Sequence, residues 1–146
     1  MFGTLPLISD TLSVDKRKLY MSNNQQGSGD AIPIFVFGSN LAGRHGAGSA
    51  KHAMLHHGAR YGVGVGFCGS SYAIPPKDQN LRVLPIDTIN IYVKEFLKFA
   101  KENSHLQFDI VRIGCGLAGY TDAQIAPLFR GLPSNCKVHQ EWEQYL

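Results

Sequence analysis

Two glycine-rich loops and one lysine carry the residue types and spacings that suit chemistry on a small ligand. The first loop lies within Ile34–Lys51, where an apolar run precedes four glycines in eleven residues and a helical pattern begins near Ala47. Glycine lets a backbone lie against a ligand without a Cβ atom in the way. A helix that begins at such a loop also directs free amide N–H groups toward it. This stretch therefore predicts an anion site, suited to a diphosphate, rather than an ordinary tight turn.

The second loop is Gly114–Tyr120, and it follows another apolar run, Gln107–Ile113. Thr121 and Gln124 have the spacing of a capping box, which predicts that a helix begins directly after this loop. The same arrangement of strand, glycine loop and helix thus occurs twice in the chain. Pro127 is expected to bend or shorten the second of these helices.

Three kinds of side chain are candidates for reactive or metal-binding roles. Lys77 follows a predicted strand, Tyr72–Pro75, and its residue type alone fits either a surface lysine or a catalytic amine. Cys115 lies between two glycines and is either a nucleophile at a helix N-terminus or a small residue in a tight loop. His52 and His56 have the i, i+4 spacing of zinc ligands, but no third ligand is evident, so no metal site is expected.

Two other glycine patterns resemble nucleotide-binding fingerprints but lack the required context. Gly64, Gly66 and Gly69 match G-x-G-x-x-G, yet a strand follows them where the fingerprint needs a helix, so a flexible loop or turn is predicted. The stretch from Gly43 to Gly48 lacks the lysine of a phosphate-binding loop, so ATP chemistry is not indicated.

The periodic segments alternate between strands and helices along the chain. Helices are predicted over Ala47–His57 and Leu84–Asn103, and a last short strand over Cys136–His139. Such alternation predicts an α/β fold in which helices cover both faces of a mostly parallel central sheet. Ligands bind beyond the carboxyl ends of the strands in folds of this kind, which is where both glycine loops are expected.

Length and composition indicate one globular domain after a polar extension. The chain has 146 residues, 44% of them hydrophobic, and residues 1–30 contain a glycine-bearing polar run that reads as a linker. The folded domain is predicted over 31–146, and Met21 is an alternative start. No membrane span or secretory signal is evident, and three scattered cysteines favour reduced thiols in the cytoplasm. The net charge of +3 is too mild for a nucleic-acid footprint.

Three segments resemble the macro domains that bind ADP-ribose. The segments are FGSNLAGRHGAGSAKHA from Phe37, YAIPPKD from Tyr72 and RIGCGLAGYTDAQIAPLF from Arg112. Their order and spacing are similar to the branch containing terminal ADP-ribose protein glycohydrolase and the antitoxin that removes ADP-ribose from DNA. The resemblance covers about residues 32–140, and the same elements resemble small phage and prophage proteins. It implies a three-layer α/β/α macro-like fold.

The resemblance also implies a role for each matched residue. Asn40 would orient the distal ribose, and Lys77 would act at the anomeric carbon as the catalytic group. Two loops would hold the ribose and the diphosphate through backbone amides. The ligand-binding positions implied in these loops are Gly46, Ala47, Gly48, Gly116, Leu117, Ala118, Gly119 and Tyr120.

Two positions depart from the family pattern. The protein glycohydrolase has an aspartate where this chain has Ala118, whereas the DNA-directed branch has glycine there. Asp30 is the nearest acidic residue to the position that contacts adenine in many macro domains. The expected function is binding of ADP-ribose or a related NAD-derived nucleotide, with hydrolysis of ADP-ribosyl linkages through Lys77. The alternative is a non-catalytic phage or bacterial accessory protein that sequesters or senses a nucleotide.

The expected partners are an ADP-ribose-type small molecule or an ADP-ribosylated macromolecule. Nucleic acid is expected only as a modified substrate, and no membrane partner or cofactor is expected. The sequence leaves the oligomeric state open.

Overall fold

The computed structural model describes residues 32–146. The predicted N-terminal extension, Met21 and Asp30 lie outside this range. No helix within the described part of the chain has the length and apolar character needed to cross a bilayer.

A five-stranded sheet forms the centre of the domain. In chain order the strands are β1 (Ile34–Asn40), β2 (Gly66–Cys68), β3 (Ser71–Lys77), β4 (Phe108–Ile110) and β5 (Cys136–Val138). Their spatial order is β2-β3-β1-β4-β5. Strands β3, β1, β4 and β5 run parallel to one another, and among the described strands only β2 is antiparallel, pairing with β3. The prediction of a mostly parallel α/β sheet is therefore confirmed.

Helices occupy the connections between the parallel strands, and a last 3₁₀ helix follows β5. They are α1 (Gly48–His56), α2 (Ile86–Glu102) and the one-turn α3 (Asp122–Ile125), followed by 3₁₀ helices at Ala126–Phe129 and Gln140–Tyr145. Thr121 caps α3 with the predicted capping box. Pro127 lies in the 3₁₀ turn that replaces further α-helix, because proline has no N–H for the helical ladder.

The two faces of the sheet pack against different helices. Side chains alternate along a strand, so Val36 and its neighbour in register Tyr72 share one face, and Phe37 and Ala73 share the other. Tyr72 contacts Phe96 of α2, with ring centroids 5.0 Å apart. Phe37 and Ala73 instead form a small core with Ala50 and Ala53 of α1. The helices thus lie on opposite faces, as predicted for a three-layer α/β/α fold.

The segment Gly66–Cys68 corrects the prediction of a loop or turn. It pairs antiparallel with β3, with Phe67 opposite Tyr72. The shape of the turn explains why residue 69 is glycine. Gly69 has a φ of +61°, and a Cβ atom there would lie 2.6 Å from the carbonyl oxygen of Gly58. A three-residue strand that begins with a glycine has too short a pattern to identify from sequence.

The strand predicted over Gln107–Ile113 is shorter than expected. Regular pairing ends at Ile110, and the chain then turns, with the amide of Ile113 bonded to the carbonyl of Val111. This early departure places Val111–Gly114 beyond the sheet edge, where they help to form a cleft.

Candidate functional site

A cleft of about 690 Å³ lies at the carboxyl edge of the parallel strands. Its walls come from the ends of β1 and β3, the residues after β4, and the loop that leads into α1. This volume is within the range of pockets that take nucleotide-sized ligands. The cleft is therefore where the α/β topology and both glycine loops predict a ligand site.

Most of the predicted site residues line this cleft. The eight that do are Asn40, Gly46, Ala47, Gly48, Lys77, Gly116, Leu117 and Ala118. Gly119 and Tyr120 are not part of the lining. The fold thus brings together three segments that are far apart in the chain.

Two prolines position Lys77 at the cleft. Gly38 pairs with Ile74 but Asn40 pairs with Lys77, so β3 contains one extra residue over the stretch that includes Pro75 and Pro76. Prolines have no N–H to donate to a ladder, and such irregularities redirect side chains at the ends of strands. Lys77, half-buried at the end of β3, therefore lies opposite Asn40 across the strand pair.

The side chain of Asn40 closes the loop that follows β1. Its Oδ1 accepts a hydrogen bond from the Arg44 amide at 2.9 Å, and its Nδ2 donates to the Arg44 carbonyl at 2.9 Å. Asn40 is buried, so these bonds hold the loop in a defined shape. Its role in contacting a ribose stays a prediction.

The N-terminus of α1 faces the cleft without a cap. Ala47 precedes the helix and supplies no side-chain hydrogen bond, and the first turn contains no acidic residue. Gly48, Ser49 and Ala50 of this turn line the cleft. The first amide N–H groups of a helix have no intrahelical partner, so this end of α1 offers hydrogen-bond donors and a partial positive charge to an anion.

The second glycine loop uses part of its backbone for its own structure. The amide of Gly119 donates to Gly116 at 3.0 Å, and the amide of Tyr120 donates to Gly114 at 2.9 Å. The Tyr120 hydroxyl donates to the carbonyl of Leu84. Tyr120 therefore ties the loop to the segment before α2. α3 is only one turn long and has its own cap, so it adds no anion site.

Cys115 is poorly suited to nucleophilic catalysis. Burial, together with the nearby carboxylate of Asp122, raises the pKa of the Cys115 thiol to about 11. A nucleophilic cysteine needs the opposite shift, because the thiolate is the reactive form. These surroundings favour the interpretation of Cys115 as a small residue in a tight loop.

Arg112 lines the cleft and was missed by sequence reasoning. Its Nε and Nη2 donate to the two carboxylate oxygens of Asp122, at 2.9 and 2.6 Å. The Nε1 of Trp142 donates to the same carboxylate at 2.7 Å. These bonds, with that from Arg112 the largest cause, lower the pKa of Asp122 to about 2. No local signal links Arg112 to Trp142, because they are thirty residues apart in the chain.

The charged side chains that line the cleft all carry the same sign. They are Arg44, Lys77 and Arg112, and no aspartate or glutamate is among the described lining residues. Arg112 is paired with Asp122, so Arg44, Lys77 and the uncapped helix end make the cleft electropositive. Asp78, next to Lys77, is used elsewhere: its carboxylate accepts the amides of Asn80 and Arg82 at 2.8 and 2.9 Å.

The histidines of α1 lie outside the cleft lining. His52 contacts His56, with ring centroids 4.7 Å apart, and His57 stacks on Phe35 at 4.3 Å. Within residues 32–146 no three acidic, histidine or cysteine side chains form a group that could hold a metal ion. Burial, with the charges of His52 and His56, lowers the pKa of His57.

Comparison of the chain with protein-family models, curated proteins and solved structures finds no match. The class that fold and site define is thus a mixed α/β protein with an electropositive cleft at the carboxyl edge of its sheet.

Proposed function

We propose that the cleft binds ADP-ribose or a closely related NAD-derived nucleotide. The observation that carries the proposal is the charge of the described lining residues: three cationic side chains and no carboxylate, with an uncapped helix N-terminus, around a cleft of about 690 Å³. A diphosphate would suit these hydrogen-bond donors, because backbone amides and guanidinium groups are the preferred donors to phosphate oxygens. The resemblance of the three lining segments to macro domains supports this choice among anionic ligands.

Glycines in the lining add a steric reason for a ligand at this place. A Cβ atom on Gly46 or Gly116 would meet no atom of residues 32–146 within 4 Å, so packing within that range requires neither glycine. Both positions line the cleft. Bare backbone there leaves space for the close approach of a ligand.

Hydrolysis of an ADP-ribosyl linkage through Lys77 is the catalytic form of this proposal. The neutral amine would attack the ribose C1, the bond from C1 to the modified group would break, and that group would leave with the bonding electrons and take up a proton. Water would then displace the amine from C1 and regenerate Lys77. The lack of a carboxylate among the described lining residues favours the second candidate, a protein that sequesters or senses the nucleotide without turnover.

Calorimetry with ADP-ribose tests the binding proposal. The purified chain is expected to bind ADP-ribose with measurable heat, and the variant Arg112→Gln is expected to bind it more weakly because one cation is lost from the lining. Arg82→Gln is the matched control, since Arg82 is exposed and does not line the cleft. Neither heat nor thermal stabilisation at millimolar ADP-ribose would contradict the proposal.

Turnover by Lys77→Ala separates an enzyme from a binding protein. If Lys77 acts on C1, this variant should lose release of ADP-ribose from modified DNA or modified glutamate while it still binds free ADP-ribose. Cys115→Ser should retain activity, because the thiol is largely protonated at neutral pH. Full activity in Lys77→Ala would remove the lysine from the mechanism. No turnover by the unaltered chain on either substrate would favour the sequestering function.

A further inference from the structure

Three exposed side chains with large apolar surfaces line the cleft beside its cationic groups. Tyr61 is 65% exposed, Leu117 is 74% exposed and Leu81 is 44% exposed, and all three line the cleft. They come from three separate loops, and we call them the apolar rim. Apolar side chains gathered at the mouth of a ligand cleft offer a surface that a planar, poorly hydrated group can cover.

The turn that carries Tyr61 is fixed to the loop after β1. The amide of Gly62 donates to the carbonyl of Gly43 at 2.8 Å, and the hydroxyl of Ser39 donates to the carbonyl of Gly64. A Cβ atom on Gly64 would lie 2.0 Å from the carbonyl oxygen of Asn40, so the two loops approach too closely for any other residue there. Tyr61 is thereby held beside the first glycine loop.

The ring of Tyr61 packs against one other ring, and most of the residue is exposed. It makes a perpendicular contact with the buried ring of His45, with centroids 6.4 Å apart. His45 in turn contacts Phe37 of β1 edge-on at 5.5 Å. This sequence of contacts supports Tyr61 from the core while about two thirds of the residue stays exposed.

Leu81 lies at the cleft in a strained backbone conformation. Its φ is +64°, and it is the one non-glycine residue with positive φ in the described range. The turn is held by Asp78, whose carboxylate accepts the amides on both sides of Leu81 and whose carbonyl accepts the amide of Leu81 at 3.1 Å. Such conformations cost free energy and are found mainly where function requires a side chain in a set place.

We propose that the apolar rim binds the nucleobase of the ligand by stacking on Tyr61 and that it does not select among bases by charge. This inference rests on the proposed function, and it names the residues that would contact the nucleobase of the same ligand. Because no carboxylate lines the described cleft, no acidic group there accepts a hydrogen bond from the exocyclic amine of adenine. Base–aromatic stacking tolerates any base, since every base has a π face.

Titration calorimetry with three ligands tests the inference. The ligands are ADP-ribose, inosine diphosphate ribose, and an ADP-ribose analogue in which 1-deoxyribose replaces the adenosine. The variants are Tyr61→Ala and Tyr61→Phe, with Val65→Ala as the matched control because Val65 is an exposed apolar residue of the same segment outside the lining. Tyr61→Ala should weaken ADP-ribose binding about tenfold, the size expected for one lost stacking contact.

Five further results are expected if the rim binds the base. Tyr61→Phe and Val65→Ala should bind ADP-ribose as the unaltered chain does. Inosine diphosphate ribose should bind within about threefold of ADP-ribose, because stacking does not read the exocyclic group. The base-free analogue should bind weakly, and Tyr61→Ala should not change its affinity.

Each contrary result has a distinct meaning. If the unaltered chain binds none of the ligands, the proposed function fails and this inference fails with it. If ADP-ribose binds but Tyr61→Ala leaves its affinity unchanged, or weakens the base-free analogue equally, the rim does not hold the base and the proposed function stands. A tenfold preference for adenine over hypoxanthine would reveal a hydrogen-bonding selector and overturn the inference.

Discussion

Gly116 and Gly119 are neighbours in one loop, but they are glycine for different physical reasons. Gly119 has a φ of +85°, a conformation that side chains with a Cβ atom adopt at a cost. Gly116 is not in that region, and a Cβ atom on it would meet nothing within 4 Å. Only Gly116 lines the cleft. Loop shape therefore explains Gly119, whereas the explanation offered for Gly116 is the ligand proposed above.

Alanine substitutions should separate these two roles. Gly116→Ala is expected to leave the free energy of unfolding unchanged and to weaken ADP-ribose binding tenfold or more, because its methyl group projects into the cleft. Gly119→Ala is expected to cost about 1 kcal/mol of stability and to retain most of the affinity. Urea denaturation and calorimetry on both variants provide the measurements. An affinity lost only in Gly119→Ala would place the ligand elsewhere.

At the scale of elements, the short α3 helix positions the carboxylate that holds Arg112. Thr121 accepts a hydrogen bond from the Gln124 amide, and Gln124 accepts one from the Thr121 amide. Asp122 is the first residue of the helix, and it binds both Arg112 and Trp142. The cap thus orders a segment that connects the cleft to the buried indole near the C-terminus.

Removal of the cap should therefore be measurable in stability. Thr121→Ala is expected to lower the free energy of unfolding by about 1 kcal/mol, the usual cost of losing such an N-cap. Ser104→Ala, at an exposed position after α2, is the matched control and should unfold like the unaltered chain. Equal midpoints for all three proteins in urea would mean that the cap does not contribute to stability.

At the scale of the whole domain, His57, which directly follows α1, is expected to make stability depend on pH. The pKa of His57 is lowered in the folded state by burial and by the charges of His52 and His56, while Asp109 opposes that shift. The unfolded chain therefore takes up a proton at His57 at a higher pH than the folded chain does. This part of the stability is fully present above pH 6.5 and is lost as the pH falls through the lower pKa of the folded state.

Urea midpoints measured at pH 7.5 and pH 5.5 should detect this dependence. His57→Phe keeps the stacking on Phe35 but cannot take up a proton, so its midpoint should fall less at pH 5.5 than that of the unaltered chain. His105→Phe, at an exposed position far along the chain, serves as the control and should behave like the unaltered chain. The same fall in all three proteins would assign the pH dependence to other groups.

The sequence by itself determined the elements that rest on local physics. β-branched and aromatic runs predict β1, β3 and β4, the apolar period of Ile89, Val93 and Phe96 predicts α2, and the capping box predicts α3. Alternation of these elements then requires a mostly parallel sheet with both glycine loops at one edge. These features depend on residues close together in the chain, so a single sequence contains the information.

Only the tertiary structure decided what surrounds the cleft. β2 is too short to show the alternation of apolar and polar residues that identifies a strand. It forms because β3 offers an edge for pairing. Arg112 becomes part of the site through Asp122 and Trp142, and Tyr61 through the close approach of Gly64 to Asn40. Those contacts join residues that are distant in the chain, and their energies depend on burial and orientation, which no spacing in a sequence encodes.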